Sequence, residues 1–463
     1  MSVAATDARA AHAEGVQRLL ASYRSIPENA TVRLAKPTSN LFRTRARNTV
    51  KGLNTSGLTD VITVDPDART ADVAGMCTYE DLVAATLPRA LAPLVVPQLK
   101  TITLGGAVTG LGIESTSFRN GLPHESVLDM DILTGTGEVL TASLNQRADL
   151  FRAFPNSYGT LGYAVRLKIE LEPVKPFVAL RHLRFGSLRN MVATMDRIIE
   201  TGSLDGAPID YLDGVVFSAD ESYLCVGVQT STPGPASDYT GQQIYYRSIQ
   251  HENGEKHDRL TVSDYLWRWD TDWFWCSRAF GAQDPRIRRL WPRRYRRSSF
   301  YWKLISYDQR FNIADRIEKR NGRPPRERVV QDVELPIERT AEFLAWFLDN
   351  VPIEPLWLCP LRLRGDDDWP LYPIHPHRTY VNVGFWSSVP VGPDWPSEEG
   401  HTNKLIERVV SELDGHKSLY SEAFYSPDEF DRRYGGETYK SVKKTYDPDS
   451  RLLDLYAKAV QRR

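Results

Sequence analysis

Cysteine is scarce and scattered in this chain. The 463 residues hold four, Cys77, Cys225, Cys276 and Cys359, with no Cys-x-x-Cys pair among them. That excludes a disulfide-stapled scaffold and a redox dithiol, points to no zinc site, and fits a reducing cytoplasm. No run of about 18 apolar residues occurs, which leaves no candidate transmembrane helix, so any membrane contact would be peripheral, at the inner face. The first twenty residues carry Asp7, Arg9, His12, Glu14 and Arg18 around no apolar centre, so a secretory signal is not expected. Charge of one sign is missing as well. A formal net charge of -1 gives no bulk reason to expect nucleic-acid binding. Internal repeats and low-complexity tracts are also absent.

What is present alternates short strands with amphipathic helices. Val16, Leu19, Leu20 and Tyr23 recur at helical spacing and predict a helix over 8–25. A strand is expected at Thr31–Leu34, then a polar turn from Lys36 to Asn40. Val61–Val64 and Thr70–Ala74 predict two strands joined at Asp65-Pro66-Asp67, and Thr78 is placed to cap a helix that ends before Pro88. Val127–Leu133 and Val139–Ala142 predict a hairpin around Thr134-Gly135-Thr136-Gly137-Glu138. A short helix over 150–154 and a strand over 163–171 follow. The composition shifts at Pro173–Pro176, where a first domain of residues 1–175 is expected to end. Beyond it, helices near 187–202 and 338–350 alternate with strands at 222–229, 356–363 and 379–385. They predict a second domain over 176–420 and a segment, 421–463, that packs back near the first.

The densest motif is Thr103-Leu104-Gly105-Gly106-Ala107-Val108-Thr109-Gly110-Leu111-Gly112-Ile113-Glu114-Ser115. Successive glycines let backbone approach a ligand, and their amides can form a concavity for a diphosphate. The segment is neither Gly-x-Gly-x-x-Gly between strand and helix nor a Walker loop, and a purely architectural glycine turn is the alternative. The order of the features matters more. A polar turn, a helix, this segment, a hairpin, then Gly159-Thr160-Leu161-Gly162 before a long strand resembles the FAD-binding domain of the vanillyl-alcohol-oxidase (PCMH-type) superfamily.

That resemblance implies an α+β, two-domain flavoprotein with an FAD-binding domain and a cap. It implies a first cofactor loop at Pro37, Thr38, Ser39 and Asn40. The second loop would use Thr103, Leu104, Gly105, Gly106, Thr109 and Gly110, then Gly112, Ile113, Glu114, Ser115 and Ser117. Gly159, Thr160 and Gly162 would lie near the flavin or the adenosine. Many relatives attach flavin to a first-loop histidine; this loop has none, so non-covalent FAD is expected. Val96–Leu99 through Gly112–Ser117, Asp149–Phe151 through Gly162, Val329–Asp332, Pro355–Pro360 and Tyr380–Gly384 resemble the 24-dehydrocholesterol reductase (sterol side-chain reductase) family. The N-terminal hydrophobic anchor of those enzymes is missing from this sequence. In that respect it resembles actinobacterial flavoproteins that reduce a methylene-branched acyl chain to 10-methylstearate (tuberculostearate) after a SAM-dependent methyltransferase. The resemblance implies a lipid acyl substrate. No separate dinucleotide fold is seen, so NADPH would have to reach the flavin directly, or a redox partner would serve.

Reducing an isolated C=C bond needs a hydride and a positioned acid. Strand alternation over Gln331-Asp332-Val333-Glu334 puts Asp332 and Glu334 on one face and Gln331 on the other. These three are the catalytic candidates, against the alternative of a solvated carboxylate face. Cys359 with Arg362, and Asn382 with Tyr380, are weaker ones. His375 and His377 read as a surface turn, and no metal site is expected. Residues 264–303 mix Trp267, Trp269, Trp273 and Trp275 with seven arginines from Arg286 to Arg297. This pattern predicts a membrane-facing segment that meets anionic headgroups. A nucleic-acid patch and a solvated helix pair over the core are the alternatives.

Overall fold

The computed structural model describes residues 3–35, 51–311, 324–391 and 398–462, with 316, 320 and 322 between. Two antiparallel sheets organise it. The first contains β1 (Val61–Asp65), β2 (Thr70–Ala74), β3 (Leu91–Pro93), β4 (Val127–Leu133), β5 (Val139–Ala142) and β6 (Tyr163–Pro173). Its order is β1-β2-β6-β4-β5, with β3 on the far end of β6. The second contains β7 (Phe177–Phe185), β8 (Tyr211–Ser218), β9 (Glu221–Thr230), β10 (Glu255–Thr261), β11 (Arg326–Pro336), β12 (Leu356–Leu361), β13 (Tyr380–Pro390) and β14 (His416–Lys417). Its order is β10-β7-β9-β8-β12-β13-β11-β14.

Around the first sheet lie α1 (Val3–Arg24), α2 (Tyr79–Thr86) and α3 (Leu104–Thr109). Helix α1 buries Leu19 and Tyr23, the face its 3.6-residue spacing marked. Thr78 caps α2 by accepting from the Asp81 amide. The strand expected at Thr31–Leu34 is reduced to Leu34–Ala35, paired in parallel with Leu53–Asn54. Upstream, the Val32 amide bonds instead to the Arg451 carbonyl in the C-terminal segment, a tertiary contact that local pattern does not contain.

The second sheet is buried on both faces. Leu212 and Val216 of β8, Leu224 and Val226 of β9, and Val333 and Leu335 of β11 share one core with α4 (Leu188–Thr201), α5 (Ile337–Asn350) and α6 (His401–Glu412). Their alternates Tyr211, Val215, Tyr223, Cys225, Trp357 and Cys359 join the core of the first sheet. Period-two alternation thus sorts each strand between helices on one side and the first domain on the other. The C-terminal segment returns to the first domain, where Lys443 donates to the carbonyls of Thr160 and Leu452.

Candidate functional site

A cavity of about 580 Å³ lies between the sheets. Its lining includes Val32–Leu34, Gly106, Gly110 and Gly159, together with an aromatic group, Trp273, Phe274, Trp357, Trp386 and Tyr420, in which Phe274 and Trp357 pack on Trp386 and Tyr420 accepts from it. Among the described residues, three cations line it, Arg33, Lys303 and Lys458, against one carboxylate, Asp332.

The glycine segment forms part of the wall, with a geometry other than the open amide cradle expected for it. It starts as the helical turn α3, capped by Thr103 Oγ1, which accepts from the Gly106 amide at 3.2 Å. The Leu104 amide donates to Cys77 O (2.9 Å) and the Gly105 amide to Gly75 O (3.0 Å). Three of the expected donors are therefore committed inside the chain, and the Leu104 side chain points into the core. Gly105 is required by packing: a Cβ there would lie 2.6 Å from Gly75 O and 3.2 Å from Ala164 Cβ. Thr103, Gly105, Gly106, Thr109, Gly110, Gly112 and Ile113 still border the cavity.

Glu114, Ser115 and Ser117 do not. Glu114 turns into a buried cluster, where Arg268 Nη2 lies 3.1 Å from Glu114 Oε1 and 2.8 Å from Asp213 Oδ2. Ser115 bonds Glu114 and the Tyr265 hydroxyl (2.9 Å), and Ser117 Oγ accepts from the Glu114 amide. The Arg268 guanidinium lies 4.0 Å from the Tyr265 ring centre, and Trp357 Nε1 donates to Asp213. The cluster ties the glycine segment to β8. Of the third stretch, Gly159 reaches the cavity, while Thr160 is buried beneath Lys443 and Gly162 packs on Ile132 and Leu133. Pro37, Thr38, Ser39 and Asn40 lie outside the described residues; Leu34–Ala35 leads into them at the cavity edge.

On β11 the face alternation decides the roles. Gln331 points to the helical side, where its Nε2 donates to Asn403 Oδ1 (2.7 Å) on α6, so it is removed from the site. Asp332 opens on the cavity. Its carboxyl lies 3.5 Å from Asn382 Nδ2 and takes a hydrogen bond from Tyr420, which itself accepts from Trp386 Nε1 at 2.9 Å. Neither neighbour is a cation, and burial pushes Asp332 up to about 7. Glu334, behind it, bonds Ser418 Oγ (2.8 Å) and is pushed well above the usual carboxylate range by burial and then by Asp332. His416, opposite Glu334 in the ladder, is held neutral by burial, down at about 3. Gly384 faces Asp332 across the sheet; a Cβ there would sit 2.4 Å from Asp332 Oδ1 and 2.7 Å from the Trp386 ring. The carboxylates are therefore not a solvated face.

Of the weaker candidates, Asn382 lies against Asp332, and the others are placed elsewhere. Cys359 is buried, its thiol pushed far up, and so is unreactive. Arg362 bonds Glu200 and Thr379. His375 and His377 are exposed, His377 beside Asp366.

The tryptophans of 264–303 face inward, which corrects the expectation that they meet a membrane. Trp269, Trp273 and Trp275 are buried: Trp273 lines the cavity, and Trp269 and Trp275 pack on Phe274, which stacks on Trp386 at 4.3 Å and on Trp269 at 4.9 Å. Trp273 and Phe274 hold φ of 45° and 57°, a left-handed backbone that bulky residues seldom adopt outside strained functional segments. Arg288 is buried on Asp272. Sequence reasoning missed Arg33, Lys458, Tyr420 and Trp386. Only Trp386 left a signal, two residues beyond the Tyr380–Gly384 block.

Residues 8–143 match a family described as FAD binding domain. Delta(24)-sterol reductase of Rattus norvegicus is 25% identical over 423 residues, 87% of this chain and 76% of the relative. The Homo sapiens protein of that name is 24% identical over 421 residues, with the same coverage. Cytokinin dehydrogenase 2 of Arabidopsis thaliana is 29% identical over 186 residues, 40% of this chain and 35% of the relative. The cavity fits such a cofactor. Among the described residues, three cations against one carboxylate suit a diphosphate, and the aromatic side chains of the wall suit a flat ring. With an FAD-binding domain on the first sheet and a cap on the second, this chain is an FAD-dependent oxidoreductase of the two-domain α+β, vanillyl-alcohol-oxidase type.

Proposed function

We propose that the enzyme reduces a C=C bond in a lipid, using Asp332 as the proton donor. The observation that carries this is a carboxyl pushed up to about 7 by burial, opening on the cavity beside Tyr420 and Trp386. An acid with such a pKa is still substantially protonated at neutral pH, which alkene reduction requires and hydride removal from an alcohol does not. When bound, the flavin supplies the hydride. Asp332 gives its proton to the other alkene carbon, Tyr420 and Asn382 hold the carboxyl in place, and the aromatic wall excludes water. The sterol reductases named above support the reaction class.

The substrate we favour is a methylene-branched acyl chain of a phospholipid, methylene-stearoyl going to 10-methylstearoyl, downstream of a SAM-dependent methyltransferase. NADPH is the proposed electron source. A sterol side chain is the second reading, favoured by the 24–25% identity to sterol reductases. Lipid analysis of a deletion strain separates them: methylene-branched acyl chains accumulate if the first is right, unsaturated sterols if the second is. Anaerobic bleaching of the purified flavoprotein by NADPH, with slow reoxidation in air, marks a reductase. Fast reoxidation marks an oxidase, such as one acting on alditols or lactones. A colourless protein indicates a non-catalytic lipid-binding scaffold.

A further inference from the structure

With the tryptophans withdrawn into the core, what stays exposed in this part of the chain is a different surface. Four of the six exposed large apolar side chains among the described residues fall here: Ile287 (42% exposed), Leu290 (83%), Tyr307 (57%) and Phe311 (47%). The first two lie three apart on the short helix Pro285–Leu290, the others four apart on Ser298–Phe311, so each pair shares a helix face. The two helices meet where Trp291 packs on Phe300 and Tyr301.

In the same segment, Arg286, Arg289 and Arg294 are exposed and have no carboxylate partner among the described residues. The remaining arginines are spent internally: Arg288 on Asp272, Arg293 on Asp238, Arg297 on Glu80, and Arg296 on backbone carbonyls. Exposed apolar tips and unneutralised guanidiniums on the same stretch of chain match the boundary between anionic headgroups and acyl chains.

The same helix leads inward. Ser299, Trp302 and Lys303 line the cavity, and Lys303, Tyr307 and Phe311 continue that stripe at four-residue steps to the surface. No described helix is long and apolar enough to cross a membrane, so contact here is peripheral.

We propose that this face docks on an anionic phospholipid bilayer and sets the cavity mouth at Lys303 against the acyl region. The docking rests on the proposed lipid chemistry only for its purpose. Its test needs no substrate, so its failure and that of the alkene reading are distinguishable.

The flavin-loaded full chain is sedimented with vesicles of phosphatidylglycerol and phosphatidylcholine, and with phosphatidylcholine alone. Binding to the anionic vesicles that weakens at high salt is expected. The triple variant Arg286→Glu, Arg289→Glu, Arg294→Glu should lose at least roughly fivefold in binding per arginine reversed. A polarity-sensitive label on Leu290→Cys should shift blue with anionic vesicles, while the same label on Leu144→Cys, an exposed apolar position outside this face, stays unchanged. Equal recovery in the supernatant with and without vesicles overturns the proposal. So does a label that shifts equally at both positions, or one at Leu290→Cys that responds to RNA or to the methyltransferase but not to vesicles.

Discussion

Two carboxylate clusters lie out of bulk water in this chain, one behind the cavity wall and one opening on the cavity, and they differ in their partners. Glu114 and Asp213 share Arg268, a full guanidinium with no exposure. Asp332 and Glu334 share only neutral partners, Asn382, Tyr420 and Ser418. Burial raises the cost of a charge in both places. In the first, the Arg268 cation opposes that cost, although burial still leaves Glu114 raised, and the cluster ties the glycine segment of one domain to a strand of the other. In the second, only neutral hydrogen bonds oppose it, and Asp332 holds its proton at the cavity wall. The same residue type therefore clamps in one place and is ready to give up a proton in the other, and the buried ion pair in one and the opening on the cavity in the other decide which.

The comparison breaks most sharply at Asp332. Asp332→Asn should keep FAD and its visible spectrum but lose roughly 10²–10⁴-fold in turnover, measured with the reduced enzyme and a methylene-branched lipid. Full turnover would remove this face of β11 from the chemistry. In the first cluster, Arg268→Met leaves two buried carboxylates without their cation. A loss of about 3–5 kcal/mol in unfolding free energy is expected, read by urea titration of the flavin-loaded protein; a loss below 1 kcal/mol would mean the clamp is not the ion pair.

Gly384→Ala tests geometry without altering a titratable group. Its Cβ would displace the Asp332 carboxyl or the Trp386 ring, so turnover should fall by about tenfold, by more than flavin affinity falls. A parallel loss of flavin would show a broader collapse.

The smallest effect is on pH dependence. The Asp332 carboxyl has its ordinary value of 3.8 when unfolded and about 7 when folded. Between these values the folded chain binds a proton that the unfolded chain has released, so stability falls as pH rises through that window. Asp332→Asn removes the dependence. The variant should melt a few degrees above the parent at pH 8, with the gap closing toward pH 5. Over the same interval the parent's alkene reduction should decline as pH passes about 7, because only the protonated carboxyl donates.

Much of the framework was legible in the chain. The hairpin Val127–Leu133 with Val139–Ala142, the Thr78 cap and the amphipathic α1, α4 and α5 follow from local spacing, which backbone geometry converts directly into faces. The β11 alternation likewise placed Asp332 and Glu334 together. What local pattern could not carry was the state of those faces. A carboxylate pair in a strand looks the same whether water or Trp386 lies over it. Tryptophans beside arginines look interfacial until a sheet packs on them. Lys458 and Tyr420 lie on a segment with no motif of its own, and Arg33 beside a strand only two residues long.

Sequence alone determined the alternation of short strands with amphipathic helices and the shared face of Asp332 and Glu334, since these depend on periodicity, while the α+β two-domain frame was implied by the resemblance to flavoproteins. Only the tertiary structure decided which amides were spent, which carboxyl met a cation, and which side of the tryptophan-rich segment faced inward. Those outcomes depend on desolvation and charge compensation between residues hundreds of positions apart.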